Sequence, residues 1–128
     1  MDDAVTTPAK PRFRGTSHQY AFVGAAIAGI ALTVSVPASA RIAVGIYALS
    51  LMAMFGASAL YHRGPWTEAQ RVWFRRLDHS MIFVLVAGTY TPFASLVIGN
   101  PLGTIMLAVV WTGALAGILV TLFWIDAP

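Results

Sequence analysis

The chain has 128 residues, of which 58% are hydrophobic and only 10% charged, with a mean hydropathy of +0.73. Such a composition excludes a soluble globule, and the absence of cysteine excludes a disulfide framework and a thiolate metal site. The net charge of +3 would suit nucleic acid, yet the basic residues flank apolar blocks, as membrane topology signals do. No nucleic-acid partner is therefore expected.

Residues 1–19 come first, with Pro8, Pro11 and Gly15 among polar residues, and read as a cytoplasmic tail. Four apolar blocks follow, at about 20–36, 42–61, 81–98 and 102–125. None of them holds Asp, Glu, Lys or Arg, and each is close to the ~20 residues that cross a hydrocarbon core as a helix. In lipid every backbone polar group must be bonded internally, which a helix achieves alone. The fold class is thus an all-α, polytopic membrane helix bundle with four transmembrane helices.

The first block also resembles a secretory signal, with "RFRG" before it and "ASA" at its end. Its apolar stretch exceeds the ~7–15 residues of a signal, so a retained helix is expected rather than cleavage after Ala40. Lys10, Arg12, Arg14, Arg63, Arg71, Arg75 and Arg76 fall on one side of the predicted spans, and Arg41 alone on the other. That asymmetry puts both termini in the cytoplasm, with Asp126 returned there by the even number of spans.

The segment 62–80 has structure of its own. Thr67 followed by Gln70 fits a capping box, predicting a helix start at Glu68. Trp66 and Trp73 suit the headgroup level. In the third span, Pro92 leaves the carbonyl of Gly88 without its usual donor, so a kink is expected, with Thr89 or Thr91 compensating. In the fourth, "GALAG" puts Gly113 and Gly117 on one face, which suits close packing within the molecule.

One set of polar residues could carry chemistry. Ser58 and His62 are four apart, hence on one helix face at the end of the second span, and Asp78 enters the third span from the same side. A neutral imidazole can bind zinc, and a nearby carboxylate can orient a metal-bound water. The same residues also fit a plain membrane boundary. His62 would then mark the interface, Asp78 would pair with Arg75, and Ser58 would bond back to Met54. His18 and His79 read as interfacial residues.

"ALYHR", the Trp- and Arg-rich loop, "RRLDHSMIFVLVAGTYTPF" and "VVWTGALAGI" together resemble the hemolysin III family, within the progestin and adipoQ receptor superfamily. The likeness runs from near residue 10 to the end of the chain and implies a hemolysin III-like membrane domain over 20–128. It further implies that these helices are the first part of a seven-helix fold. There, zinc is held by His62 and by an H-x-x-x-H pair on the last helix, with Ser58 and Asp78 beside a zinc-bound water. This chain has no H-x-x-x-H, so the other two ligands are absent from it. The resemblance implies a zinc-dependent hydrolase of lipid amides or esters, with Asp78 and Ser58 catalytic, in the plasma membrane (a bacterial inner membrane). The 128 residues alone would be inactive and would need a complementary C-terminal fragment or further copies. Two other functions are open: a pore-forming cytolysin, and a receptor-like sensor of membrane lipids with structural zinc.

Overall fold

The structure, a computed structural model, describes residues 15–124. The expected tail up to residue 14, the end of the expected fourth span and Asp126 lie outside the described residues. Among the described residues, four helices are long and apolar enough to cross a membrane. They are α1 (Thr16–Ser35), α2 (Arg41–Arg63), α3 (Glu68–Pro92, extended by a π-helical segment Phe93–Ile98) and α4 (Leu102–Phe123). Consecutive helices pack antiparallel, α1 on α2, α2 on α3 and α3 on α4.

Local chemistry explains the boundaries from α1 to the start of α3. Gly15 adopts φ +80° ahead of α1, a left-handed conformation that glycine takes without steric cost. Val36 is extended, as a residue before proline tends to be, and ends α1. Arg41 then reaches back from the start of α2, donating from Nε to the Val36 carbonyl at 3.3 Å. A cation here also complements the negative end of the α1 dipole.

At the far end of α2, Trp66 Nε1 donates to the Leu60 carbonyl at 2.8 Å, and its ring stacks on Phe74 at 3.8 Å between centroids. A Cβ on Gly64 would run into that indole, so glycine is what lets the loop fold over. The capping box forms as predicted, with Thr67 and Gln70 each satisfying the other's backbone N–H. Because α3 starts at Glu68, Asp78 lies well inside a continuous helix, although the hydropathy block begins only at residue 81.

The buried residues are small: Ala25 and Gly29 on α1, Ala48, Ala57 and Ser58 on α2, and Ala87 and Gly88 on α3. Large side chains point outward; Ile42 is 79% exposed and Val97 75%. This inversion follows from the solvent. Lipid is as apolar as leucine, so helices associate through close packing, which small residues allow.

Pro92 is followed by the wider π turn, closed by the Gly99 N–H donating to the Ala94 carbonyl at 3.1 Å. The expected hydroxyl compensation differs in detail. Thr89 donates to Leu85 and Thr91 to Ala87, each to the carbonyl four residues back, and neither to Gly88. In "GALAG", Gly117 lies against the Phe83 ring, whereas a Cβ on Gly113 would meet nothing within 4 Å. One glycine of the pair packs within the molecule and the other does not.

Candidate functional site

The geometry of the polar cluster follows from one close contact. Gly88 of α3 lies against Ser50 of α2 so tightly that a Cβ on Gly88 would strike the Ser50 hydroxyl. This contact marks the direction in which the two helices face each other. At about 100° per residue, Ser58 is turned about 80° from that direction on α2 and His62 about 120°. On α3, Asp78 is turned about 80° from Gly88 in the same sense. The helices run antiparallel, so equal rotations bring the residues to the same side of the pair.

Height agrees with rotation. Moving eight residues along α2 from Ser50 to Ser58 corresponds to moving back along α3 from Gly88 to Ser80. Asp78 lies two residues beyond Ser80, roughly 3 Å further toward the His62 end at 1.5 Å per residue, and so between the levels of Ser58 and His62. Helical geometry thus places Ser58, His62 and Asp78 on one side of the pair, within about 6 Å of one another along the helix axes. Ser58 is buried at 3% exposure, while His62 and Asp78 are half-buried.

Two neighbouring residues in sequence go elsewhere. His79 is turned about 180° from Gly88, away from α2. It is exposed, and its Nδ1 donates to the Arg75 carbonyl at 2.7 Å. Ser80 turns about 80° to the opposite flank. Its hydroxyl is buried and has no hydrogen-bond partner among the described residues.

The alternative expected for Ser58, a bond back to Met54, does not form. Instead Ser58 Oγ is 2.6 Å from Nδ1 of His18 on α1, across 40 residues of sequence. His18 sits edge-on to Phe55, with ring centroids 5.6 Å apart. The first turn of α1 also presses on His62: a Cβ on Gly15 would be 2.7 Å from the His62 Cβ. Arg63 donates to Thr16 Oγ1 at 3.2 Å and ties the same ends together. So α1 forms a third wall of the cluster.

Sequence reasoning placed His18 at the interface and missed this role. A signal was present, because His18, Phe22, Ala25 and Gly29 recur at helical spacing, and Ala25 and Gly29 are the buried residues of α1. A histidine on the small-residue stripe of a membrane helix faces its neighbour.

The described residues contain no group of three His, Cys, Asp or Glu able to hold a metal ion. A catalytic zinc site usually takes three protein ligands and a water. One imidazole with a carboxylate and a hydroxyl on its flank fits one corner of such a site, and the described residues alone do not complete it. A concavity of about 390 Å³ opens near the other end of the bundle between Ile46, Thr91, Leu107 and Trp111, and is mainly apolar.

The class defined by these features is a multi-pass α-helical membrane protein with a polar cluster built at one end of its first three helices. The chain belongs to the haemolysin-III related family, whose sequence profile matches residues 6–128. It is similar to Hemolysin-3 of Bacillus cereus, 39% identical over 88 residues that cover 69% of this chain and 40% of that protein. It is also similar to the Hemolysin-3 homolog of Bacillus subtilis (strain 168), 35% identical over 80 residues, or 62% of this chain and 37% of the relative. The matched region is thus well under half the length of these relatives. No solved structure matches the chain.

Proposed function

We propose that the chain supplies one wall of a zinc-dependent membrane hydrolase that acts on a lipid amide or ester. The reading is supported by the tight Gly88–Ser50 contact, from which helical geometry puts Ser58, His62 and Asp78 on one side of the α2–α3 pair. His62 would be one ligand, and the remaining ligands would lie outside these 128 residues. Bound zinc would supply Lewis acidity and a water of lowered pKa. Asp78 would hold or accept a proton at its carboxylate, and Ser58 would orient the reacting group through its hydroxyl.

The test is zinc content of the purified chain, alone and co-expressed with the last three helices of a family member. The chain alone should carry little zinc and the assembly about one equivalent, lost in His62→Ala. In that assembly Asp78→Asn should keep zinc and lose hydrolysis of a fluorescent ceramide. Zinc unaffected by His62→Ala would sink the metal assignment. The curated relatives carry the name hemolysin, so dye release from liposomes belongs in the same experiment. Release that survives loss of both His62 and Asp78 would favour a pore instead.

The basic residues support an orientation with the His62 end on the cytoplasmic side, and the bacterial relatives support a bacterial plasma membrane. Thiol labelling of Ser17→Cys and Glu68→Cys from outside intact cells should fail, and that of Asn100→Cys should succeed. The reverse pattern would overturn this topology.

A further inference from the structure

We propose that His18 is a positioning residue of the cluster: its Nδ1–H donates to Ser58 Oγ and so turns the Ser58 hydroxyl proton toward Asp78. The metal reading above gives Ser58 its function, and this inference rests on it; the bond itself stands on geometry.

Comparison among hydroxyls in the bundle carries the argument. A Ser or Thr inside a membrane helix ordinarily donates back to a carbonyl of its own helix. Thr33 donates to Gly29, Ser50 to Tyr47, Thr91 to Ala87 and Thr121 to Gly117, all at 2.7–2.9 Å. Ser58 is as buried as Ser50, yet its 2.6 Å partner is an imidazole on another helix. A hydroxyl has one proton and two lone pairs, and a neutral imidazole offers one donor and one acceptor.

If Ser58 donated to His18, only lone pairs would face the side where Asp78 lies, and an ionised carboxylate accepts without donating. If His18 donates, the Ser58 proton is free for that side. Complementarity with Asp78 selects the second arrangement. The edge-on contact with Phe55 and the tie between Arg63 and Thr16 keep the ring and the first turn of α1 in place.

The direct test is nitrogen NMR on the 128-residue chain in lipid nanodiscs with 15N-labelled histidine. The signal lost in His18→Asn should show a protonated Nδ1, and it should move in Ser58→Ala while the His79 signal stays. An Nε2–H tautomer, or a His18 signal indifferent to Ser58→Ala, would overturn the proposal. The second readout is zinc affinity of the co-expressed assembly, by competition with a chelator. His18→Ala should weaken it about tenfold or more, in line with other residues that orient a metal site from outside. His18→Asn, whose amide nitrogen falls where Nδ1 lies, should restore most of the loss, and His18→Gln, which mimics Nε2, should not. A fold-only role for His18 predicts no difference between Asn and Gln, and that result also overturns the proposal. Unchanged affinity in all three variants would reject His18 and leave the metal reading intact. An assembly with no zinc in the unmodified protein would reject both.

Discussion

The two ends of the bundle solve the same problem differently. Toward the Asn100 end, hydroxyls are satisfied mainly within their own helix: Thr91 and Ser95 donate to carbonyls four residues back, and one bond crosses between helices, from Trp111 Nε1 to Thr91 Oγ1 at 3.2 Å. Toward the His62 end, bonds cross between helices, with His18 on Ser58 and Arg63 on Thr16. Self-satisfied hydroxyls leave a helix free to be positioned by packing alone. Bonds between helices fix register and rotation, which is what a chemical site requires. The contrast accords with the proposed site at the His62 end.

The largest effect should come from the contact that sets the α2–α3 register. Gly88→Val would drive side-chain atoms into Ser50 and should cost about 1–3 kcal/mol of overpacking strain, read by denaturant titration in mixed micelles. Gly24→Val, with nothing within 4 Å of its Cβ position, should stay within about 0.5 kcal/mol. Equal losses at the two sites would remove the basis for the register. Next in size is Ser58→Ala, which strips His18 of its partner and should cost about 1–2 kcal/mol. Ser50→Ala gives up only a bond to a carbonyl already used by the helix and should cost less than about 0.5 kcal/mol. A reversed order would contradict the division between the two ends. Smallest is Trp111→Phe, which removes one interhelical hydrogen bond, typically worth about 0.6 kcal/mol in membrane proteins. A loss several times larger would show that the Asn100 end also depends on bonds between helices.

Much of this architecture was readable from the chain because the bilayer leaves few choices. Apolar blocks of spanning length had to be helices, and Thr67 with Gln70 announced the start of α3 well before the hydropathy rose. Ser58 and His62 could be paired because the i, i+4 relation needs no tertiary information. The bond between His18 and Ser58 joins residues 40 apart and depends on how α1 is rotated against α2, and hydropathy does not encode that rotation. Ser80 was hidden for the same reason. It is two residues from Asp78, yet it falls on the other flank of α3, and only the Gly88 contact reveals which flank faces which neighbour.

The central claim is that Ser58, His62 and Asp78 share one side of the α2–α3 pair. The chain has no cysteine, so introduced pairs report cleanly. A short bifunctional thiol reagent applied to His62→Cys with Asp78→Cys, and separately to His62→Cys with His79→Cys, measures that claim in the folded protein. The account predicts efficient internal cross-linking of the first pair and little of the second, because His79 faces away from α2. Equal cross-linking, or a preference for the second pair, would contradict it.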